Sequence, residues 1–177
     1  LVDKQGKVLI KPEIIGEHLL SPRDLKMIQH IPQLVEAGIT SLKIEGRMKR
    51  PEYVATVVRN YREAIDSFYQ NPDNFRVLEN WEKELEQIFN RDFTTGYYFT
   101  NQGKDLMSYK RPNNRGLLMG RISKVKNDTI WVKLTEPLTV GDGYEVWVTK
   151  GGRIAGELKE LFLHGQKVTR AESGQEV

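Results

Sequence analysis

Ser41-Leu-Lys-Ile-Glu-Gly-Arg-Met-Lys-Arg-Pro-Glu-Tyr-Val-Ala-Thr-Val-Val-Arg-Asn-Tyr-Arg-Glu-Ala-Ile-Asp66 is the stretch on which the reading of this chain turns. Its first half alternates and ends in glycine, the pattern of a short strand. After Pro51 the apolar residues recur at helical spacing. Between the two halves, Glu45, Arg47, Lys49 and Arg50 crowd a short connection, with Lys43 just before it. In a βα unit such a connection lies at the carboxyl end of the strand, where α/β proteins place their chemistry.

Working outward, Ser21-Pro-Arg-Asp24 predicts a helix start, with a hydroxyl at the N-cap, proline at N1 and an acid at N3. Leu25, Met27 and Ile28 would then lie on its apolar face. A second helical stretch, 33–37, stops at Gly38, and the predicted strand covers 39–45. The long helix runs from Pro51 to about Tyr69, with Val54, Val57, Val58, Tyr61, Ala64, Ile65 and Phe68 as its apolar stripe. A further helix over about 75–89 turns Val77, Leu78, Trp81, Leu85 and Ile88 inward. The period changes after Asn90. An aromatic loop with Phe93, Tyr97, Tyr98 and Phe99 leads into a polar, irregular stretch over 101–114.

From Gly116 onward, short strands alternate with glycine turns, which predicts a small antiparallel barrel. Strands are expected at 117–126, 129–134, 144–150, 153–163 and 167–177. The last stops at Val177 as though a closing strand were missing. The fold class is therefore α+β. An α/β segment spans 1–90, an aromatic and basic linker 91–115, and a β-barrel 116–177.

The bulk composition admits a globular protein, with 38% hydrophobic and 29% charged residues in 177. A net charge of +3 allows an acidic partner without requiring one. The positive charge gathers between Lys104 and Lys126, where Lys110, Arg111, Arg115 and Arg121 fall with Lys124. Zero cysteines exclude a disulfide, a thiolate metal site or a cysteine nucleophile within these residues. No apolar run reaches the roughly 18 residues that a membrane span needs, and no signal peptide is visible, so a cytoplasmic setting is expected. The chain opens without an initiator methionine in the middle of a strand–turn–strand pattern, Leu1 to Ile10, which reads as a fragment.

Glu45 is the sharpest candidate for chemistry. It is placed to serve as a general base, to orient Arg47, or merely to form a salt bridge at a strand end. Arg47, Lys49 and Arg50, with Lys43, are candidates for binding a phosphate or carboxylate near a helix N-terminus, or else a solvated turn. His18, His30 and His164 share no ligand spacing, so no metal site is expected from this chain. No G-x-S-x-G elbow supports a serine nucleophile. Tyr97 and Tyr98 beside the basic linker suit unstacked bases, although they could equally pack the two parts of the chain together.

Leu20-Ser-Pro-Arg-Asp-Leu25, Leu34-Val-Glu-Ala-Gly-Ile-Thr-Ser-Leu-Lys-Ile-Glu-Gly-Arg-Met-Lys49 and the helix from Tyr53 to Asp66 closely resemble peptidase family U32. Arg91-Asp-Phe-Thr-Thr-Gly-Tyr97 is similar to that family's Thr-Thr-Gly segment. Val140-Gly-Asp-Gly143 and Val168 to Gly174 resemble its C-terminal domain, itself similar to translation-factor barrels. The resemblance implies that 1–90 holds the terminal βα elements of a TIM-type barrel whose other strands lie upstream. It also implies one of two activities: a collagenase-like hydrolysis of polypeptides, or hydroxylation of RNA, as in relatives that make 5-hydroxyuridine at the tRNA wobble position from prephenate. On that implication Glu45 and Arg47 would be catalytic. Lys43, Lys49, Arg50, Tyr97, Tyr98, Lys110, Arg111, Arg115 and Arg121 would bind substrate or RNA. An iron–sulfur cluster would belong to the upstream domain, with no cofactor in this part. The expected partner is tRNA, with a polypeptide substrate or a paralogous partner subunit docking a non-catalytic module as alternatives.

Overall fold

The computed structural model describes residues 2–9, 16, 18–100, 102–109, 111–148 and 152–177. They divide into two compact units, Leu1–Leu117 and Leu118–Val177. No helix is long and apolar enough to cross a membrane among the described residues.

The first unit is built around three helices: α1 (Ile31–Glu36), α2 (Pro51–Gln70) and α3 (Glu79–Ile88). Pro51 starts α2 because its fixed φ suits the first turn and its missing N–H would have found no partner there. Glu52 in that turn complements the positive end of the helix dipole. Gly38 follows α1 at φ +77°, and its N–H bonds the Val35 carbonyl at 2.9 Å, closing the helix as its sequence position predicts. Met27, Ile28, Ile31, Leu34, Val57, Ala64, Phe68, Trp81 and Leu85 form the core. The buried face of α2 is narrower than the apolar stripe suggests. Val54 and Val58 are exposed, while Asn60 is fully buried and donates to Glu84 Oε2 at 3.0 Å.

Two expectations are corrected here. The predicted helix start at Ser21–Asp24 is instead a short parallel ladder: β1 (Asp24–Leu25) pairs with β2 (Phe93–Thr94). The local cap loses to a distant partner, because the Asp24 carboxylate accepts from the Arg91 backbone N–H at 2.8 Å and from its guanidinium at 2.6 Å. Pro22 bridges to Met107 in the same region. Residues 39–45, predicted as a strand, join no ladder among the described residues. An alternating sequence makes a strand only where a neighbouring strand takes up its backbone groups. The barrel-end architecture expected for 1–90 therefore has no support in the ladders of this unit, whose only described parallel pair is two residues long.

Residues 91–117 pack in the first unit. Ser108 is buried, its N–H bonds the Ser21 carbonyl at 2.7 Å, and its hydroxyl donates to the Arg111 carbonyl at 2.8 Å. Gln102 accepts from the Thr94 hydroxyl and donates to that of Thr95, so this part of the presumed irregular loop is pinned at 2.6 and 2.9 Å.

The second unit holds β3 (Gly120–Lys126), β4 (Thr129–Leu134), β5 (Leu138–Thr139), β6 (Gly143–Trp147), β7 (Arg153–Glu157), β8 (Leu161–Leu163), β9 (Gln166–Val168) and β10 (Arg170–Ala171). They pair antiparallel as β3–β4, β6–β7, β8–β9 and β5–β10. The described strands thus form small separate ladders, not the closed barrel expected from sequence. The single strand predicted over 153–163 breaks at Leu158, whose N–H bonds the Asp142 carbonyl and whose carbonyl takes the Gly141 N–H, each at 2.8 Å. The chain's last residues also find a partner within the unit: Val177 and Val132 exchange backbone bonds of 2.8 and 3.0 Å along β4. A small core of Leu134, Leu161 and Ala171 sits beneath these ladders. Residues 149–151, the end of one predicted strand and part of its turn, lie outside the described residues.

Candidate functional site

The connection before α2 folds on itself. Glu45 accepts the Arg47 backbone N–H at 3.0 Å, and Lys49 N–H bonds the Gly46 carbonyl at 2.9 Å. Gly46 is required by a close approach: a Cβ there would collide with the Val54 side chain on the first turns of α2. The result is an open cleft of about 440 Å³ lined by Glu45, Arg47, Met48 and Lys49. Glu45 and Arg47 are exposed, as are Lys43 and Arg50 on either side of the cleft in sequence. Glu45 thus presents a carboxylate fixed by its own turn, not a buried one paired with a guanidinium.

Lys49 differs from its neighbours. It is half-buried, with its ammonium 2.8 Å from the centroid of the Phe89 ring and 5.6 Å from that of Tyr53. Tyr53 meets Phe89 edge-on at 6.1 Å. Ring quadrupoles attract a cation in this position. Burial lowers the Lys49 pKa, the Asp24 charge opposes that shift, and Arg91 adds to it. Arg91 also lies over Phe89 at 5.3 Å, and its fork is held by the Asp24 carboxylate. Asp24, Lys49, Phe89 and Arg91 therefore form one connected floor beside the cleft.

Asp24, Phe89 and Arg91 were not legible as site residues from sequence. Asp24 reads locally as a helix cap, and nothing in spacing connects it to a position 67 residues away. The one available signal was that Arg91 opens the Thr-Thr-Gly segment.

The remaining candidates are distributed. Tyr97 and Tyr98 are exposed, and Phe99, also exposed, meets His30 at a 51° tilt with 4.6 Å between ring centroids. Arg115 is half-buried and ion-paired with Asp92, and it donates to Ser108 Oγ at 2.9 Å, which makes it a brace within the first unit. Asp92 holds that pair from a left-handed φ of +63°, a conformation that Asp tolerates better than most residues. Arg111 is exposed, and its N–H bonds the Ser108 carbonyl at 3.3 Å. Lys110 lies outside the described residues. Arg121 is on β3 in the second unit. The structure thus brings together Glu45, Arg47 and Lys49 from the sequence-derived set. Among the described residues, no three His, Asp or Glu side chains are grouped to share a metal ion.

The chain belongs to peptidase family U32, whose model matches residues 3–108. It is 35% identical over 177 residues to tRNA hydroxylation protein P1 of Bacillus subtilis, covering 99% of this chain and 40% of that protein. A collagenase of Porphyromonas gingivalis is 30% identical over 173 residues, covering 93% of this chain and 41% of the relative. A 23S rRNA 5-hydroxycytidine synthase of Escherichia coli is 32% identical over 157 residues, 85% of this chain and 23% of that enzyme. The chain spans about 40% of the length of the first two relatives. No solved structure matches it.

Proposed function

We propose that this chain is the RNA-recognising part of a U32 protein that hydroxylates a nucleoside in RNA, tRNA being the first candidate, in a cytoplasmic setting. The observation that carries this reading is the similarity, over 99% of this chain, to a tRNA hydroxylation protein. The cleft supports it, since Arg47 and Lys49 line it with a fixed carboxylate, and Lys43 and Arg50, both exposed, flank it in sequence. Cations at a helix N-terminus suit a phosphate or an acidic substrate group. In this reading Arg47 and Lys49 hold the anion and Glu45 orients or deprotonates the group beside it. Tyr97 and Tyr98 offer faces to unstacked bases. An iron–sulfur cluster ligated by thiolates takes no ligand from these residues, which include no cysteine. No step here is routed through one.

A second reading, hydrolysis of a polypeptide, is favoured by the collagenase relative. The two readings separate in one experiment. Deleting the gene that encodes this chain should remove, from digested cellular RNA, a nucleoside one oxygen heavier than its parent. Wild-type protein should restore it, and Glu45→Gln or Arg47→Ala should not. An unchanged nucleoside profile, with loss of gelatin hydrolysis, would instead establish the peptidase.

A further inference from the structure

The hairpin β3–β4 carries a surface that, Arg121 aside, the reading of the cleft leaves unused. Its register pairs Arg121 with Lys133, Lys124 with Trp131 and Lys126 with Thr129. β4 runs without interruption, so Thr129, Trp131 and Lys133 alternate onto one face, and their partners share it. Arg121 and Lys124 are three apart and in a regular strand would point to opposite sides. The register shift at Ser123 inserts one residue and brings them back into phase. The bulge thus collects Arg121, Lys124, Lys126 and Lys133 around one tryptophan.

All four cations are exposed, and none forms a salt bridge among the described residues. Lys124 holds its ammonium 4.8 Å over the Trp131 ring. Beside them, Glu176 bridges to Lys133 in the backbone pairing and accepts from Ser123 Oγ at 2.7 Å. Asp128 sits at the hairpin turn. Like charges facing each other, as Arg121 and Lys133 do, are destabilising in a free ribbon. A concentrated cation face with an aromatic at its centre matches what single-stranded nucleic acid requires: phosphate neutralisation and a π surface for a base.

The geometry points to the β3–β4 face as a binding site for single-stranded RNA, centred on Lys124 and Trp131. The inference rests on the RNA reading above but concerns a different surface. Single-stranded segments are favoured over duplex because the deep major groove of an A-form helix does not admit side chains. The flat indole has no corresponding role toward an acidic polypeptide.

The test is a fluorescence-anisotropy titration of the 177-residue chain with oligouridine about 16 nucleotides long at two salt concentrations. Wild type is compared with the triple variant Lys124→Ala, Lys126→Ala, Lys133→Ala and with Trp131→Leu, and far-UV circular dichroism confirms that each variant is folded. Binding that weakens with salt, falls by about tenfold or more in the triple variant, and loses about 2 units of logarithmic salt slope supports the site. Trp131→Leu should weaken binding while leaving the salt slope unchanged. Wild-type and triple-variant binding of equal strength overturns the site and leaves the RNA reading standing. Absence of binding by wild type counts against both. Displacement of oligouridine by polyglutamate at equal charge would assign the face to an acidic polypeptide instead.

Discussion

The two units of this chain hold themselves together in different ways. Among the described residues, the first has nine buried apolar residues gathered by three helices, so its stability follows from side-chain packing. The second has three, and it relies on antiparallel ladders and on glycine turns between them. At roughly 25 cal/mol per Å² of buried apolar surface, so few buried side chains leave little margin. A packed helical unit can lend a rigid floor to a cleft, as Phe89 does for Lys49. A ribbon with a small core is free to spend its outer face on charge, as β3 does.

The largest effect that would break this contrast is at Trp81. It is buried, and its indole N–H donates to Glu63 Oε2 at 2.8 Å. Trp81→Ala should cost about 3–5 kcal/mol, measured by denaturant unfolding, with loss of amide protection in α2 and α3. Leu134→Ala should cost about 2–4 kcal/mol, and with so small a core it should abolish protection across β4 and β8. If Leu134→Ala leaves those amides protected, the ladders are carrying the second unit unaided.

Asp24→Asn comes next, at about 1–3 kcal/mol, because it removes the charged acceptor of the Arg91 fork. It should also lower the Lys49 pKa further, since Asp24 is the group that raises it, which NMR titration of the lysine ammonium would detect. An unchanged Lys49 titration would separate the cleft from the floor described here.

The smallest effect is at Tyr61, whose hydroxyl accepts the Met27 N–H at 2.8 Å and whose pKa is raised, chiefly by burial. A raised phenol pKa means that the unfolded chain ionises first, so stability is full below pH 10 and falls as pH rises through the folded value. Tyr61→Phe should cost about 1 kcal/mol at pH 7 and flatten that alkaline decline in thermal melts.

Much of this was legible where the pattern is local. Pro51 and the helical apolar spacing place α2 almost to its observed end at Gln70, and Asn127-Asp128 between alternating runs gives the β3–β4 hairpin. The failures share one cause. Ser21–Asp24 has every local mark of a helix start, but Asp24 is claimed by Arg91 across the fold. Residues 39–45 alternate like a strand but find no partner among the described residues. In the site, the Gly46 turn and its charges could be read directly, whereas Lys49 on Phe89 is a tertiary contact that no spacing reveals. The bulge at Ser123, which decides what β3 presents, is likewise invisible to simple alternation.

The most direct measurement is a side-by-side titration of the chain with tRNA and with gelatin as salt is raised. RNA recognition predicts that tRNA binds and that its affinity falls steeply with salt, with gelatin bound weakly or not at all. Salt-insensitive tRNA binding, or gelatin bound more tightly than tRNA, would contradict it.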